Sequence, residues 1–104
     1  MMREKIYELL LEIPKSKVTT YKEIAIKLGN KNLCRYVGNT LHKNPNKNKY
    51  PCYKVVNSKG KLSNNYAFGG IEKQKEELER EQIEVKNYKV NLDKFLYKFN
   101  SNKR

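Results

Sequence analysis

Two thiols stand in different settings. Cys52 follows a proline in the run Tyr50-Pro51-Cys52-Tyr53-Lys54-Val55-Val56, with a phenol and an ammonium group directly after it. Pro51 fixes the backbone leading into it, and glycine-rich chain arrives from Gly69-Gly70. As a thiolate, a cysteine so placed is a soft nucleophile able to attack carbon. The competing reading is a small hydrophobe packed under a hairpin. Cys34, beside Leu33 and Val37 in a periodic apolar pattern, reads as core. There is no CxxC spacing, and His42 is the single histidine. The cysteines therefore encode neither a zinc site nor a disulfide framework. Free thiols, no metal and no cofactor are expected.

The elements that must position Cys52 follow from apolar spacing. In residues 2–14, Ile6, Leu9, Leu10 and Ile13 gather on one face of a helix, which Pro14 stops. Lys15-Ser16-Lys17 is a polar turn, and Val18-Thr19 a short extended lead-in. Thr20-Tyr21-Lys22-Glu23 fits a capping box. The helix it starts runs through Ile24, Ala25, Ile26 and Leu28, and Gly29 ends it. After the turn Asn30-Lys31-Asn32, Asn32 can cap a third helix over 33–43. The apolar set of this helix is Leu33, Tyr36, Val37 and Leu41, and its outer face shows Arg35, Asn39, Thr40, His42 and Lys43. A short helix, a turn containing glycine and a second helix with a basic face make a helix-turn-helix.

Residues 44–49 read as a loop and 50–56 as an extended run. Asn57-Ser58-Lys59-Gly60 is a turn from which Lys61-Leu62 can pair back as a minimal hairpin. Residues 63–70, ending Tyr66-Ala67-Phe68-Gly69-Gly70, form a glycine-terminated loop. Residues 71–82 form a charged helix with Ile71, Gln74 and Leu78 inward. Beyond it, Ile83/Val85 and Val90/Leu92 alternate, and Phe95-Leu96 and Phe99 follow in a Lys-rich context. The expected organisation is one domain over 1–83 and a basic, partly ordered extension over 84–104 with disordered last residues.

The 104 residues carry 23 basic and 11 acidic side chains, a formal charge of +12. So large an excess favours a polyanionic partner. Compositional bias toward Lys and Asn, with a merely solvated surface, is the alternative. No run approaches the ~20 apolar residues of a membrane span, and the first residues lead into no secretory run. A cytoplasmic chain with no membrane partner is expected.

In motif order from residue 13 to residue 81, the chain resembles the C-terminal DNA-binding and catalytic domain of O6-alkylguanine-DNA alkyltransferases, including their smaller alkyltransferase-like relatives. The family signature Pro-Cys-His-Arg-Val is similar to Pro51-Cys52-Tyr53-Lys54-Val55, and its Thr/Ser-Tyr segment to Thr20-Tyr21. Its Ala-Arg-Ala-Val-Gly recognition helix is similar to Cys34-Arg35-Tyr36-Val37-Gly38, and its Asn-Pro to Asn44-Pro45. Its Gly-Gly falls on Gly69-Gly70 and its acidic residue on Glu81.

The resemblance implies a mainly α, winged helix-turn-helix-like domain with a minimal β-hairpin, acting as a monomer on double-stranded DNA that contains O6-alkylguanine. It implies that the damaged nucleotide is flipped out of the stack and that Arg35 fills the gap. Tyr21 would help turn the 3′ phosphate and hydrogen-bond the purine, and Asn39, Lys43 and Lys54 would join the DNA-binding face. Tyr21, Pro51, Phe68, Gly69 and Gly70 would form the pocket, with Asn44 a structural hinge. Cys52 would accept the alkyl group in a single-turnover cysteine S-methyltransferase reaction, with Tyr53 and Glu81 completing the catalytic set. From the residues alone, Arg35 also reads as a solvated helix charge and Tyr21 as an aromatic packed on a turn.

Tyr53 departs from the family, whose histidine links the thiol through water to the glutamate. A phenol of pKa ~10 is a poor base at neutral pH. Lys54, nearby backbone N–H groups and the positive field are left to favour the thiolate, and slower transfer is expected. The change admits a second reading: a non-catalytic protein that binds the lesion and recruits repair partners. The Tyr66-Ala67-Phe68-Gly69-Gly70 loop and the lack of the family's separate N-terminal domain favour it. The retained Cys52, which such relatives often replace with tryptophan, opposes it. A third reading is a sequence-specific regulator with Arg35 on a base edge, for which no dimerisation heptad is present.

Overall fold

The computed structural model describes residues 2–46, 48–63, 66 and 68–99; the expectation for the last residues of the tail lies outside that range. Helix α1 (Met2–Leu10) buries Ile6, Leu9 and Leu10 completely. Three i to i−3 bonds, from the amides of Leu11, Glu12 and Ile13, tighten the chain before Pro14. Strand β1 (Thr19–Thr20) leads directly into α2 (Tyr21–Lys27). Thr20 Oγ1 accepts from the Glu23 amide at 3.0 Å, as the capping pattern predicts. At the other end Gly29, at φ 99, allows the amides of Gly29 and Asn30 to return to the carbonyls of Ile26 and Ala25.

The next cap is Asn30 rather than Asn32. Asn30 is extended, and its side chain accepts from the Asn32 amide at 2.9 Å. This starts a 3-10 turn (Lys31–Leu33) that runs straight into α3 (Cys34–His42). Asn32 lies inside that turn and cannot cap it. Two residues of α3 also change face. Thr40, expected outside, is buried with Val37 and Leu41, and its carbonyl accepts from Tyr7 Oη at 2.6 Å. Tyr36, expected inside, is exposed. The buried stripe 37, 40, 41 is one helical face, and residue 36 lies about 100° away from residue 37.

The expected pairing of residues 55–56 with 61–62 is not formed. Strand β2 (Val55–Val56) pairs in parallel with β1, Thr19 against Val55 and Thr20 against Val56. Both valines are fully buried, as in a strand covered on both faces. The hairpin is formed instead by β3 (Val85–Lys86) and β4 (Lys89–Val90). Its two turn residues, Asn87 and Tyr88, both have positive φ, the requirement of a tight hairpin turn. Leu62 joins its edge through a bond from its amide to the Tyr88 carbonyl.

Helix α4 (Gly70–Arg80) buries Gln74 and Leu78. A second apolar cluster unites Leu78 with Val18, Val56, Leu62, Ile83, Val90 and Phe95. Phe95 ends the short α5 (Leu92–Phe95). The chain past residue 83 is thus part of the core: the Val18 amide donates to the Phe95 carbonyl, the Tyr97 amide to the Val18 carbonyl, and Phe99 packs into the α1–α3 cluster. Lys86, Lys89, Lys94 and Lys98 of this segment remain exposed. The result is a mainly helical domain with two small sheets. No helix among the described residues is long and apolar enough to cross a membrane.

Candidate nucleic-acid and thiol site

Cys52 opens a 3-10 turn (Cys52–Lys54) and is 6% exposed. Two polar side chains fix where that turn sits. At the end of α3, Asn44 donates from Nδ2 to the Tyr50 carbonyl at 2.8 Å and accepts from the Asn46 amide at 2.9 Å. The recognition helix is thereby tied to the residue before Pro51. From α4, Gln74 donates from Nε2 to the carbonyls of Tyr53 and Val55 at 3.0 and 3.2 Å. Its Oε1 accepts from the Ser63 amide at 2.8 Å, so one buried amide joins α4, the cysteine turn and the start of the loop.

Cys52 lines a cavity of about 560 Å³ together with Tyr21, Cys34, Arg35, Gly38, Asn39, Ser63, Tyr66 and Gln74. That volume lies within the usual range for small-molecule pockets. Gly38 faces the Tyr21 ring, which a Cβ there would meet at an ordinary contact distance of 3.9 Å. Burial pushes the Tyr21 phenol up, and a hydrogen bond with Ser63 partly offsets this. Tyr66 is 8% exposed, and its ring meets Phe68 edge-on at 5.9 Å. Its hydroxyl is buried without a hydrogen-bond partner among the described residues, an arrangement that costs about 1–3 kcal/mol.

Behind the turn lies a charged cluster. Tyr53 Oη donates to Glu81 Oε2. Lys54 Nζ meets Glu81 Oε1 at 2.9 Å and also donates to the Pro14 and Ile13 carbonyls at 2.9 and 3.4 Å. Ser16, at φ 68, gives Glu81 its amide at 3.1 Å, and its hydroxyl donates to the Glu81 carbonyl at 2.6 Å. Burial alone would raise the Glu81 carboxyl. The hydrogen bonds from Tyr53, Lys54 and Ser16 and the charge of Lys54 outweigh it and hold Glu81 below its ordinary value. The same contacts act oppositely on Tyr53, whose phenol is driven up by burial, by donating to Glu81 and by nearby negative charge.

The expected site residues separate accordingly. Tyr21, Arg35, Asn39 and Cys52 share the cavity, and Arg35 and Asn39 are exposed. Pro51 precedes the turn, Phe68 backs Tyr66, and Gly69-Gly70 form the start of α4 rather than the wall. Gly69 is at φ 124, and a Cβ on it would lie 2.7 Å from Lys73 Cβ. Lys43 is exposed beyond the end of α3. Lys54, expected to touch DNA and to favour the thiolate, is 4% exposed and bound to Glu81 and two carbonyls. It therefore presents no free charge to a phosphate. Cys34, expected in the core, is half-buried on the cavity wall, its Sγ 3.3 Å from the Lys31 carbonyl. Tyr66, Ser63 and Gln74 were not expected at the site. Only Gln74 left a signal, as a polar residue at an inward helical position. Among the described residues, no three His, Cys, Asp or Glu side chains cluster to hold a metal ion.

Comparison with known proteins bears on this arrangement. The family profile described as 6-O-methylguanine DNA methyltransferase, DNA binding domain, matches residues 1–83. Alkyltransferase-like protein 1 of Schizosaccharomyces pombe is 36% identical over 100 residues, 90% of this chain and 92% of that protein. The methylated-DNA–protein-cysteine methyltransferase of Candida glabrata is 42% identical over 93 residues, 89% of this chain but 44% of that protein. The crystal structure of S. pombe Atl1 in complex with damaged DNA containing O6-carboxymethylguanine is similar at a TM-score of 0.85 and 33% identity, covering 93% of this chain and 94% of that one.

Proposed function

The chain belongs to the O6-methylguanine DNA methyltransferase family, and on that basis we propose that it binds duplex DNA carrying O6-alkylguanine, turns the damaged nucleotide into the 560 Å³ cavity and takes the alkyl group onto Cys52. The observation that carries this reading is that Cys52 and the exposed Arg35 border one cavity, with α3 supplying much of its wall. The protein acts as a monomer in the cytoplasm.

Exposed lysines and Lys43 neutralise phosphates, a sequence-independent attraction. Extrusion leaves a hole in the base stack. The planar Arg35 cation, at the start of α3, enters that hole from the minor groove and stacks there. Tyr21 donates a hydrogen bond to the extruded purine. The sulfur of Cys52 then attacks the alkyl carbon. A carbon–sulfur bond forms, the bond from carbon to O6 breaks, and its electron pair returns to the base. The thiol gives up its proton and guanine takes one up, so that overall hydrogen replaces the alkyl group on the base. Nothing in the chain reverses the thioether, and each molecule acts once.

A second reading has one specific support. Tyr53 keeps its proton and donates it to Glu81, which Lys54 also holds. Neither group is then an evident base for the thiol, which favours recognition of the lesion without transfer. The test is an oligonucleotide duplex containing O6-methylguanine, incubated with excess protein, followed by the mass of the peptide containing Cys52. Transfer adds one CH2 to that peptide, and Cys52→Ala binds without the increment. Preference for the lesion duplex with an unmodified thiol supports the second reading, and equal affinity for damaged and plain duplex refutes both.

A further inference from the structure

We propose that the Tyr66 hydroxyl is the hydrogen-bond donor that receives the O6 oxygen of the extruded base, making Tyr66 a determinant of preference for purines with an acceptor at that position. This rests on the reading that the base enters the cavity.

Buried polar groups in folded proteins are nearly always paired. Among the described residues, Tyr66 Oη is the one buried side-chain polar atom without a partner, and Tyr66 lines the cavity. Its polar neighbours are engaged. Gln74 makes three hydrogen bonds, Ser63 bonds Tyr21, whose own proton goes to the purine ring, and the Cys34 thiol lies against the Lys31 carbonyl. The Tyr66 ring has little freedom to seek a partner elsewhere. It belongs to the same apolar cluster as Cys52 and is braced by Phe68, and its carbonyl accepts from the Gly70 amide at 3.0 Å.

The chemistry of displacement indicates what the hydroxyl meets. Sulfur, alkyl carbon and O6 must lie in line, so O6 occupies the part of the cavity facing Cys52. Tyr66 is in that neighbourhood. Burial first, and charge on Cys52 second, push its phenol well above the ordinary range, so it stays a neutral donor throughout the pH range of the folded protein. O6 is an acceptor in the lesion and gains negative charge as its bond to the alkyl carbon breaks, which strengthens a bond from a fixed donor. Tyr66 keeps its proton throughout. A purine with an amino group at position 6 presents a donor instead and is opposed.

The test uses equilibrium binding in a Cys52→Ala background, so that no alkyl group moves. Tyr66→Phe is added, and two duplexes are compared, one with O6-methylguanine and one with 2-aminopurine, which lacks the oxygen, at the same place. The expected result is a loss of about tenfold in affinity for the O6-methylguanine duplex, the equivalent of one net hydrogen bond, with no change on 2-aminopurine. The melting temperature of the free protein should be unchanged or higher, because an unpaired buried hydroxyl is removed. Equal losses on both duplexes, or no loss on either, overturn the proposal. A Tyr66-containing parent that binds O6-methylguanine no better than guanine instead overturns the reading on which it rests.

Discussion

Lys54→Met isolates the buried charge behind the cysteine turn. In the native protein the ammonium group lies 2.9 Å from Glu81 and 2.9 Å from the Pro14 carbonyl, with the two side chains only 5% and 17% exposed. Methionine preserves the packing of the stem and removes the charge. Breaking one side of a buried pair costs about 3–5 kcal/mol. Glu81 keeps its bonds from Tyr53 and the Ser16 amide, so the low end, about 3 kcal/mol, is expected. For a domain of this size that lowers Tm by more than about 10 °C. The pH dependence carries a sign. The Glu81 carboxyl is held below its ordinary value of 4.5 in the folded protein. It therefore contributes stability that is present above that value and lost as pH falls through the folded one. Without Lys54, two of the lowering causes vanish while burial remains, so the acid limb of stability begins at higher pH. Urea midpoints from about pH 3 to 7, with exposed Lys43→Met as the comparison, measure both effects. If Lys54→Met is no more destabilising than Lys43→Met, or leaves the acid limb in place, the cluster is not the brace described.

Arg35→Ala should weaken binding of the lesion duplex by about 1–3 kcal/mol, the scale of a stacking contact with nucleic acid, with little change in Tm; affinity titrations and thermal melts check both parts. Tyr53→His should speed alkyl transfer at least about tenfold, because imidazole with a pKa near 6.5 is a usable base; single-turnover rates should then fall below about pH 6 in the variant. Gln74→Leu strips one amide and two carbonyls of their partner and should cost about 2–4 kcal/mol, read from denaturant midpoints.

Much of the helical frame was legible because its signals are local. Thr20 capping Glu23 and Gly29 closing α2 need only neighbours in sequence. The sheet was not legible in that way. Val55-Val56 pairs with Thr19-Thr20, some 35 residues earlier, in parallel, and no turn signal announces such a partner. The true hairpin turns on Asn87 and Tyr88, a pair that lacks the glycine usual at such turns. At the site, Tyr21, Arg35, Asn39 and Cys52 fell together as the motif order implies. Lys54 did not, because sequence gives its charge but not that Glu81 and the carbonyls of Ile13 and Pro14 claim it. Tyr66 was legible only as one residue of the Tyr66-Ala67-Phe68-Gly69-Gly70 loop, since an aromatic in a loop reads as packing and an unpaired hydroxyl is visible only in three dimensions.

The central claim is that a damaged purine leaves the duplex and enters the cavity facing residue 52. The direct measurement is a crystal structure of Cys52→Ala bound to a duplex containing O6-methylguanine. The account predicts the modified base in the cavity between α3 and Tyr66, its methyl carbon toward residue 52 and Arg35 in the vacated stack. A lesion still paired or stacked within the duplex, with the cavity empty, would contradict it.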